Sequence, residues 1–278
     1  MSKKYLIHLD VNNTLLDTNY HSTSPTIQSV IEQLSKEGSV FVINSDRSFD
    51  DIQAIAQLFS ITGPIIGEKG AFIYYPDTGK TQVMLNEQTL IRLDQIKELI
   101  KKFISEKFFN SHFLIGDTTD INKHADGQDL PPGMDYYFMM NCFRRYSISI
   151  HVRKNNENLL QKDIETAERF CSFVESDLLR EFDDFTVNCD ADYANMLIHP
   201  KQSDKALSFL TVAQKYPNFK RIIITDDLND KPAMKEIDYL FAVNNASDEA
   251  KEAAHYVATE TITKGVEEIL LKIDELVR

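Results

Sequence analysis

Ile7-His8-Leu9-Asp10-Val11-Asn12-Asn13-Thr14-Leu15-Leu16-Asp17 (IHLDVNNTLLD) lies near the start of the 278-residue chain. An apolar run ends on a carboxylate, and a polar turn then leads into Thr-Leu-Leu. Residues 4–10 read as a strand buried on both faces, because near-continuous apolar sequence marks a strand inside a parallel sheet. A polar residue closing such a strand is commonly only a turn or cap residue. Asp10 gains chemical interest from what stands at the ends of later elements.

Ser45 follows the apolar stretch VFVIN, and ITDDLND (224–230) follows RII and carries Asp226, Asp227 and Asp230. Lys205 sits at the start of a predicted helix in HPKQSDKALSFL. The set is an early carboxylate, a hydroxyl on the next strand, a lysine and a late acidic cluster. It suits phosphoryl chemistry. A carboxylate can attack phosphorus, clustered carboxylate oxygens hold Mg²⁺, and a hydroxyl and an ammonium offset charge on the phosphoryl oxygens.

Around these residues the chain alternates strand and helix. Ser24-Pro25 predicts a helix start and Gly38 its end near Lys36. SVFVINS (39–45) reads as a strand, FDDIQAIAQLF (49–59) as a helix, and PIIG and AFIYY as short strands. After Pro200 the alternation resumes with a helix over 204–215, strands at RIIIT and YLFAV, helices over 231–237 and 247–254, HYVA, and a last helix over 264–277. The segments 1–83 and 196–278 are therefore expected to form one α/β domain on a doubly wound, Rossmann-like parallel sheet. Ligands of such sheets bind beyond the carboxyl ends of the strands, where Asp10, Ser45 and Asp226 would lie.

The middle, 84–195, reads differently and is expected to be an inserted α+β domain. It offers a helix over 90–108, a polar loop over 116–133, strands at YYFMM and YSISIHVR, a helix over 156–177, and strands at FTVNCD and NMLIHP.

Composition is that of an ordinary soluble protein, with 42% hydrophobic and 26% charged residues. No apolar run approaches the roughly 20 residues that span a bilayer. The N-terminus lacks a secretory apolar region and cleavage site, so a cytoplasmic protein is expected. A net charge of -13 argues against nucleic acid or an anionic membrane as partner. It leaves room for a small phosphorylated metabolite, which needs only local positive charge. Cys142, Cys171 and Cys189 have neither metal nor redox spacing and read as free thiols. A monomer or homodimer is expected.

These motifs resemble the haloacid dehalogenase-like superfamily, in particular its Cof-type branch with a large inserted cap. The Asp-x-Asp-x-Thr motif falls on Asp10-Val11-Asn12-Asn13-Thr14, and Thr-Gly-Arg falls on Ser45-Asp46-Arg47. GEKGAFIYYPDTG (67–79) is similar to the stretch leading into the cap. Ile198-His199-Pro200-Lys201-Gln202-Ser203-Asp204-Lys205 matches I-x-P-x-G-x-x-K and picks out Lys205. Thr225-Asp226-Asp227-Leu228-Asn229-Asp230 matches GD-x-x-ND, and 243–270 is similar to the C-terminal tail.

The resemblance implies a Mg²⁺-dependent phosphatase acting on a small phosphorylated metabolite, such as a sugar phosphate, through an aspartyl-phosphate. Asp10 would be nucleophile and metal ligand, and the carbonyl of Asn12 a second ligand. Asp226 would be a third, with Asp230 coordinating or supporting. Ser45 would hydrogen-bond the phosphoryl group, with Asp46 and Arg47 beside it. Lys205 would bridge Asp10 and phosphate, and Asn229 would orient nearby groups. The cap would open and close over the site and choose the substrate.

The departure is Asn12, where the family carries the aspartate that protonates the leaving alkoxide and later activates water. An amide does neither, and loss of such help costs roughly 10²–10⁴ in rate. Three accounts stand open: a substitution introduced into a family sequence, a natural chain of weakened or altered activity, and takeover by another group such as Asp17 or a cap residue. Thr225 and Asp46, each in place of glycine, are smaller departures. The alternative function is a phospho-ligand-binding protein that turns over slowly. A dinucleotide oxidoreductase is disfavoured, because no Gly-x-Gly-x-x-Gly follows the first strand. His8 reads as a packed strand histidine, and His124 and Asp126 as loop residues. Arg144 and Arg145 read as a surface pair, with recognition of a distal anion as the alternative.

Overall fold

The computed structural model describes residues 4–116, 133–156, 159–191, 193–228 and 234–277. In chain order these form β1 (Tyr5–Asp10), α1 (Ile27–Lys36), β2 (Val40–Asn44), α2 (Phe49–Leu58), β3 (Ile65–Gly67), β4 (Phe72–Tyr75) and β5 (Lys80–Val83). There follow α3 (Glu87–Lys107), β6 (Ser111–Gly116), β7 (Tyr136–Asn141), β8 (Ile148–Asn156), β9 (Leu159–Lys162), α4 (Ile164–Phe173), β10 (Phe185–Asp190) and β11 (Asn195–Pro200). The chain closes with α5 (Lys205–Ala213), β12 (Lys220–Thr225), β13 (Tyr239–Ala242), α6 (Asp248–Ala253), β14 (Tyr256–Val257), α7 (Ile262–Leu271) and α8 (Ile273–Leu276). No helix among the described residues is long and apolar enough to cross a membrane.

The chain divides into two compact units, Met1–Met84 with Ser203–Arg278, and Leu85–Gln202. The first is built on an eight-stranded sheet of order β14-β13-β12-β1-β2-β3-β4-β5. Strands β14 through β3 run parallel, and β4 and β5 add an antiparallel edge. Strand alternation feeds two cores. Ile7, Leu9, Ile222 and Ile224 pack with α1, α2, α7 and α8. Leu6, Val42 and Ile223 pack with Phe209 and Val212 of α5. Helices on both faces explain why β1 and β12 read as continuous apolar runs. The chain leaves β1 toward β2 on one side and comes back as β12 on the other, so the topological switch point lies at the ends of β1 and β12.

Helix ends follow local chemistry. The Ser24 hydroxyl accepts the Ile27 N–H at 3.2 Å, three positions ahead of the first residue of α1. Gly38, at φ +100°, supplies the left-handed residue that ends it.

The second unit holds a six-stranded sheet of order β10-β11-β8-β7-β6, with β9 paired to β8. Helices α3 and α4 cover one face through Leu93, Ile96, Ile100 and Phe170 against Phe138, Ile150, Val152 and Met196. Its C-terminal limit falls later than the 195/196 boundary read from the sequence, because β11 pairs with both β10 and β8 and so belongs to this sheet.

The helix expected over 156–177 is a correction. Leu159–Lys162 pairs antiparallel with β8 instead. The helix begins at Ile164, where the Asp163 carboxylate accepts the Thr166 N–H at 3.1 Å. Strands β5 and β6 lack a sequence prediction of their own. All four residues of β5 are exposed, so no apolar alternation marked it. The predicted loop 116–133 lies almost wholly outside the described residues.

Candidate active site

Asp10 and Asp226 reach one cavity because β1 and β12 are neighbours in register, with Leu9 opposite Ile224. The cavity measures about 280 Å³, and its lining includes His8, Asp10, Asn12, Asp46, Lys205 and Asp226. Asp10 takes the N–H of Val11 on Oδ1 at 2.8 Å, which fixes its rotamer. The same oxygen lies 3.5 Å from Lys205 Nζ, and Asp46 Oδ1 lies 3.3 Å from that ammonium. The lysine side chain is only 8% exposed, so its charge is held between two carboxylates in a poorly hydrated place.

Lys205 is placed by its helix. Asp204 caps α5 by accepting the Leu207 N–H at 2.9 Å. The buried Asn44 amide, at the end of β2, donates to the Lys205 carbonyl at 3.1 Å. A left-handed turn over Glu68, Lys69 and Gly70 packs against the same helix start. A side chain at Gly70 would meet the Asp204 carbonyl oxygen at 2.3 Å and the Lys205 nitrogen at 2.6 Å. The Ser208 hydroxyl ties the turn down by donating to the Gly70 carbonyl at 2.7 Å.

Asp226 begins the loop after β12. The Thr14 hydroxyl donates to its Oδ1 at 2.9 Å, and its carbonyl accepts the Ser247 N–H at 2.8 Å. Burial, reinforced by the facing charge of Asp10, pushes its carboxyl up to about 6. Thr225 knots the loop, since its hydroxyl donates to the Asp227 carbonyl at 2.9 Å and receives the Asp227 N–H at 3.1 Å.

Asn12 is gripped from outside. Arg47 donates to its Oδ1 through Nε at 3.1 Å and Nη2 at 2.8 Å, and its guanidinium lies 4.5 Å from the Tyr20 ring centroid. Arg47 thus contacts residue 12. Ser45 is buried, and its hydroxyl accepts the Arg47 N–H at 3.3 Å. Neither Ser45 nor Arg47 is among the residues lining the cavity. Asn229 and Asp230 lie outside the described residues, as do His124 and Asp126. Asp17 accepts the N–H groups of Asn19 and His21, each at 2.8 Å, and does not line the cavity.

The reading of His8 as a packed residue missed part of its setting. It is 5% exposed and its ring lies 5.2 Å from that of Phe209, but it also lines the cavity and neither ring nitrogen finds a hydrogen-bond partner. Burial, and then the Lys205 charge, bring its pKa down to about 3, so it is neutral. Thr14 and Asn44 gained no role from the sequence. Thr14 was visible as the last residue of the first motif, whereas nothing local marks Asn44.

The donor set fits a small hard cation. Asp10 and Asp226 face each other closely enough for one charge to lift the other's pKa, and a divalent ion relieves that repulsion. Among the described residues no three His, Cys, Asp or Glu side chains close around one point. Two carboxylates with backbone or water oxygens are the sparse arrangement that Mg²⁺ accepts, unlike a zinc cage.

A family model described as haloacid dehalogenase-like hydrolase matches residues 7–270. The chain is 24% identical over 274 residues to a phosphoglycolate phosphatase of Staphylothermus marinus, spanning 96% of this chain and 97% of that protein. It is 29% identical over 119 residues to a 5-amino-6-(5-phospho-D-ribitylamino)uracil phosphatase of Bacillus subtilis, a match spanning 43% of this chain and 42% of that one. Among solved structures, a haloacid dehalogenase-like hydrolase from Bacteroides thetaiotaomicron superposes with a TM-score of 0.67 at 18% identity, covering 98% of this chain and 100% of that one.

Proposed function

The chain belongs to the haloacid dehalogenase-like hydrolases, and on that premise we propose that it is a Mg²⁺-dependent phosphatase of a small phosphorylated metabolite. The observation that carries this reading is the meeting of Asp10, Lys205 and Asp226, from three distant segments, in one polar cavity. The phosphatase names of the two relatives support it. Leu85–Gln202 is, on this reading, the cap that selects the substrate.

Asp10 and Asp226 would hold Mg²⁺, together with the backbone carbonyl of residue 12, and Asp230 would assist. Bound there, the ion supplies charge stabilisation and orientation to the phosphoryl oxygens. Asp10 acts as nucleophile: a carboxylate oxygen bonds to phosphorus as the ester P–O bond breaks, and the alkoxide leaves with the bonding pair. Lys205 lies beside Asp10 and balances the charge that builds on the phosphoryl group. Ser45 would hydrogen-bond that group, with Asp46, which lines the cavity, and Arg47 beside it. The alkoxide must take its proton from water, because the Asn12 amide has none to give at neutral pH. A second water then attacks phosphorus, releases phosphate and restores the Asp10 carboxylate, again without a carboxylate base at residue 12.

The test is Asn12→Asp, assayed by phosphate release from a panel of phosphomonoesters with Mg²⁺. Turnover is expected to rise by roughly 10²–10⁴. Unchanged turnover in a variant that folds and binds Mg²⁺ would overturn this account of residue 12 and favour a phospho-ligand-binding protein.

A further inference from the structure

The second unit contains a buried cation that forms no ion pair among the described residues. In β8, Ile148, Ile150 and Val152 point into the core under α3 and α4, so Ser149, His151 and Arg153 occupy the opposite face of the sheet. Arg153 is 7% exposed. Its Nη1 donates to two backbone carbonyls, Val152 at 2.8 Å and Tyr193 at 3.2 Å. Among the described residues its remaining donors meet no acceptor and it forms no ion pair. A guanidinium carries five N–H donors in a planar fork that matches a carboxylate or phosphate. A guanidinium held this far from bulk water, with only backbone carbonyls as its acceptors among the described residues, is favoured when an anion completes it.

The neighbours reinforce this. Lys162 stands directly across from Arg153 in the β8–β9 pair, and its ammonium lies 5.1 Å from the Tyr193 ring centroid. His151 lies two residues before Arg153 on the same face, and its Nδ1 is buried with no hydrogen-bond partner. Burial, then Arg153, Arg144 and Lys162, bring the pKa of His151 down to about 3, which leaves it a neutral donor among three cations. Arg144 is steadied by donating to the Ser147 hydroxyl at 3.0 Å.

We infer that Arg153 and His151, with Lys162 and Arg144 around them, form an anion-binding site for the carboxylate or phosphate group of a small molecule. The inference is independent of the phosphatase reading, since its primary readout is binding without turnover.

The experiment is calorimetric titration of the full-length, metal-free protein with malonate and, separately, with inorganic phosphate. Saturable binding of at least one probe is expected. It should weaken roughly ten- to hundredfold in Arg153→Gln, recover in part in Arg153→Lys, and persist in Lys205→Met. A response to malonate alone assigns a carboxylate ligand, and a response to phosphate alone assigns a phosphate. Binding of neither probe, binding unaffected by Arg153→Gln, or binding abolished by Lys205→Met would overturn the site. Should Arg153→Gln fail to fold, the His151 imidazole resonance of the unmodified protein, assigned with His151→Asn, decides. It should shift with either binding probe, and a resonance indifferent to saturating probe contradicts the site. Kinetics then separate two sources of the anion. A KM raised by Arg153→Gln only for phosphomonoesters bearing a carboxylate or second phosphate identifies the substrate's own group. An unchanged KM beside lost probe binding identifies a separate anion.

Discussion

At the scale of single residues the proposed mechanism turns on position 12. The Asn12 amide is held by the Arg47 fork, so it is ordered, but it cannot exchange a proton at neutral pH. A missing general acid hurts most when the leaving group is a poor one. The Asn12→Asp gain should therefore be larger for an alkyl phosphate than for p-nitrophenyl phosphate, whose phenolate leaves unaided. Equal gains on both substrates would show that residue 12 acts in some way other than protonating the leaving group.

Asp226 gives a second test at this scale. Its folded pKa, about 6, stands above the ordinary 3.8. The metal-free fold thus favours the protonated form more than the unfolded chain does. This group's contribution to stability is complete below pH 3.8 and is lost as pH rises through about 6. A divalent ion held there, as proposed, would reverse the preference by binding the carboxylate and displacing the proton. Mg²⁺ affinity should fall as pH drops below about 6, and Asp226→Asn should weaken binding and flatten that dependence. Thermal melts with and without Mg²⁺ across this range provide the measurement.

At the scale of elements, the start of α5 is what aims Lys205, and the turn at Gly70 is built against it. Gly70 has φ +88° and no room for a methyl group, whereas Gly79 has φ +65° and open space around it. Gly79→Ala should cost about 1 kcal/mol from backbone conformation alone and leave turnover intact. Gly70→Ala should cost about 1–3 kcal/mol and also lower turnover by displacing Lys205. Equal effects of the two substitutions on turnover would deny Gly70 its part in placing the lysine.

The same scale shows what sequence can and cannot carry. Strands β1 and β12 were legible because burial on both faces leaves no polar residue until the strand ends, which drew attention to Asp10 and Asp226. Strand β9 was hidden because its four residues fit an extended helical pattern, and only the Asp163 cap separates the two elements. Asn44 and His8 were not identifiable as site residues for a related reason. Their importance comes from neighbours more than 150 positions away, Lys205 and Phe209, which local pattern does not reveal.

At the scale of the whole molecule, the β1–β12 switch point gathers Asp10, Lys205 and Asp226, and the family places a hydrolase on that frame. The motif spacing exposed this convergence, since each motif sits at the end of a core strand or the start of a core helix. The buried Arg153 of the second unit lay beyond such reading, because its burial against backbone carbonyls is a property of packing. The central claim is that Asp10 attacks phosphorus. Acetyl phosphate tests it most directly, since its leaving group needs no acid and Asn12 offers no base to clear the product. After incubation with Mg²⁺ and rapid acid quench, peptide mass spectrometry should find one phosphoryl group on the segment containing Asp10, absent in Asp10→Asn. Phosphate release that proceeds with that segment unmodified, or that survives Asp10→Asn, would contradict the account.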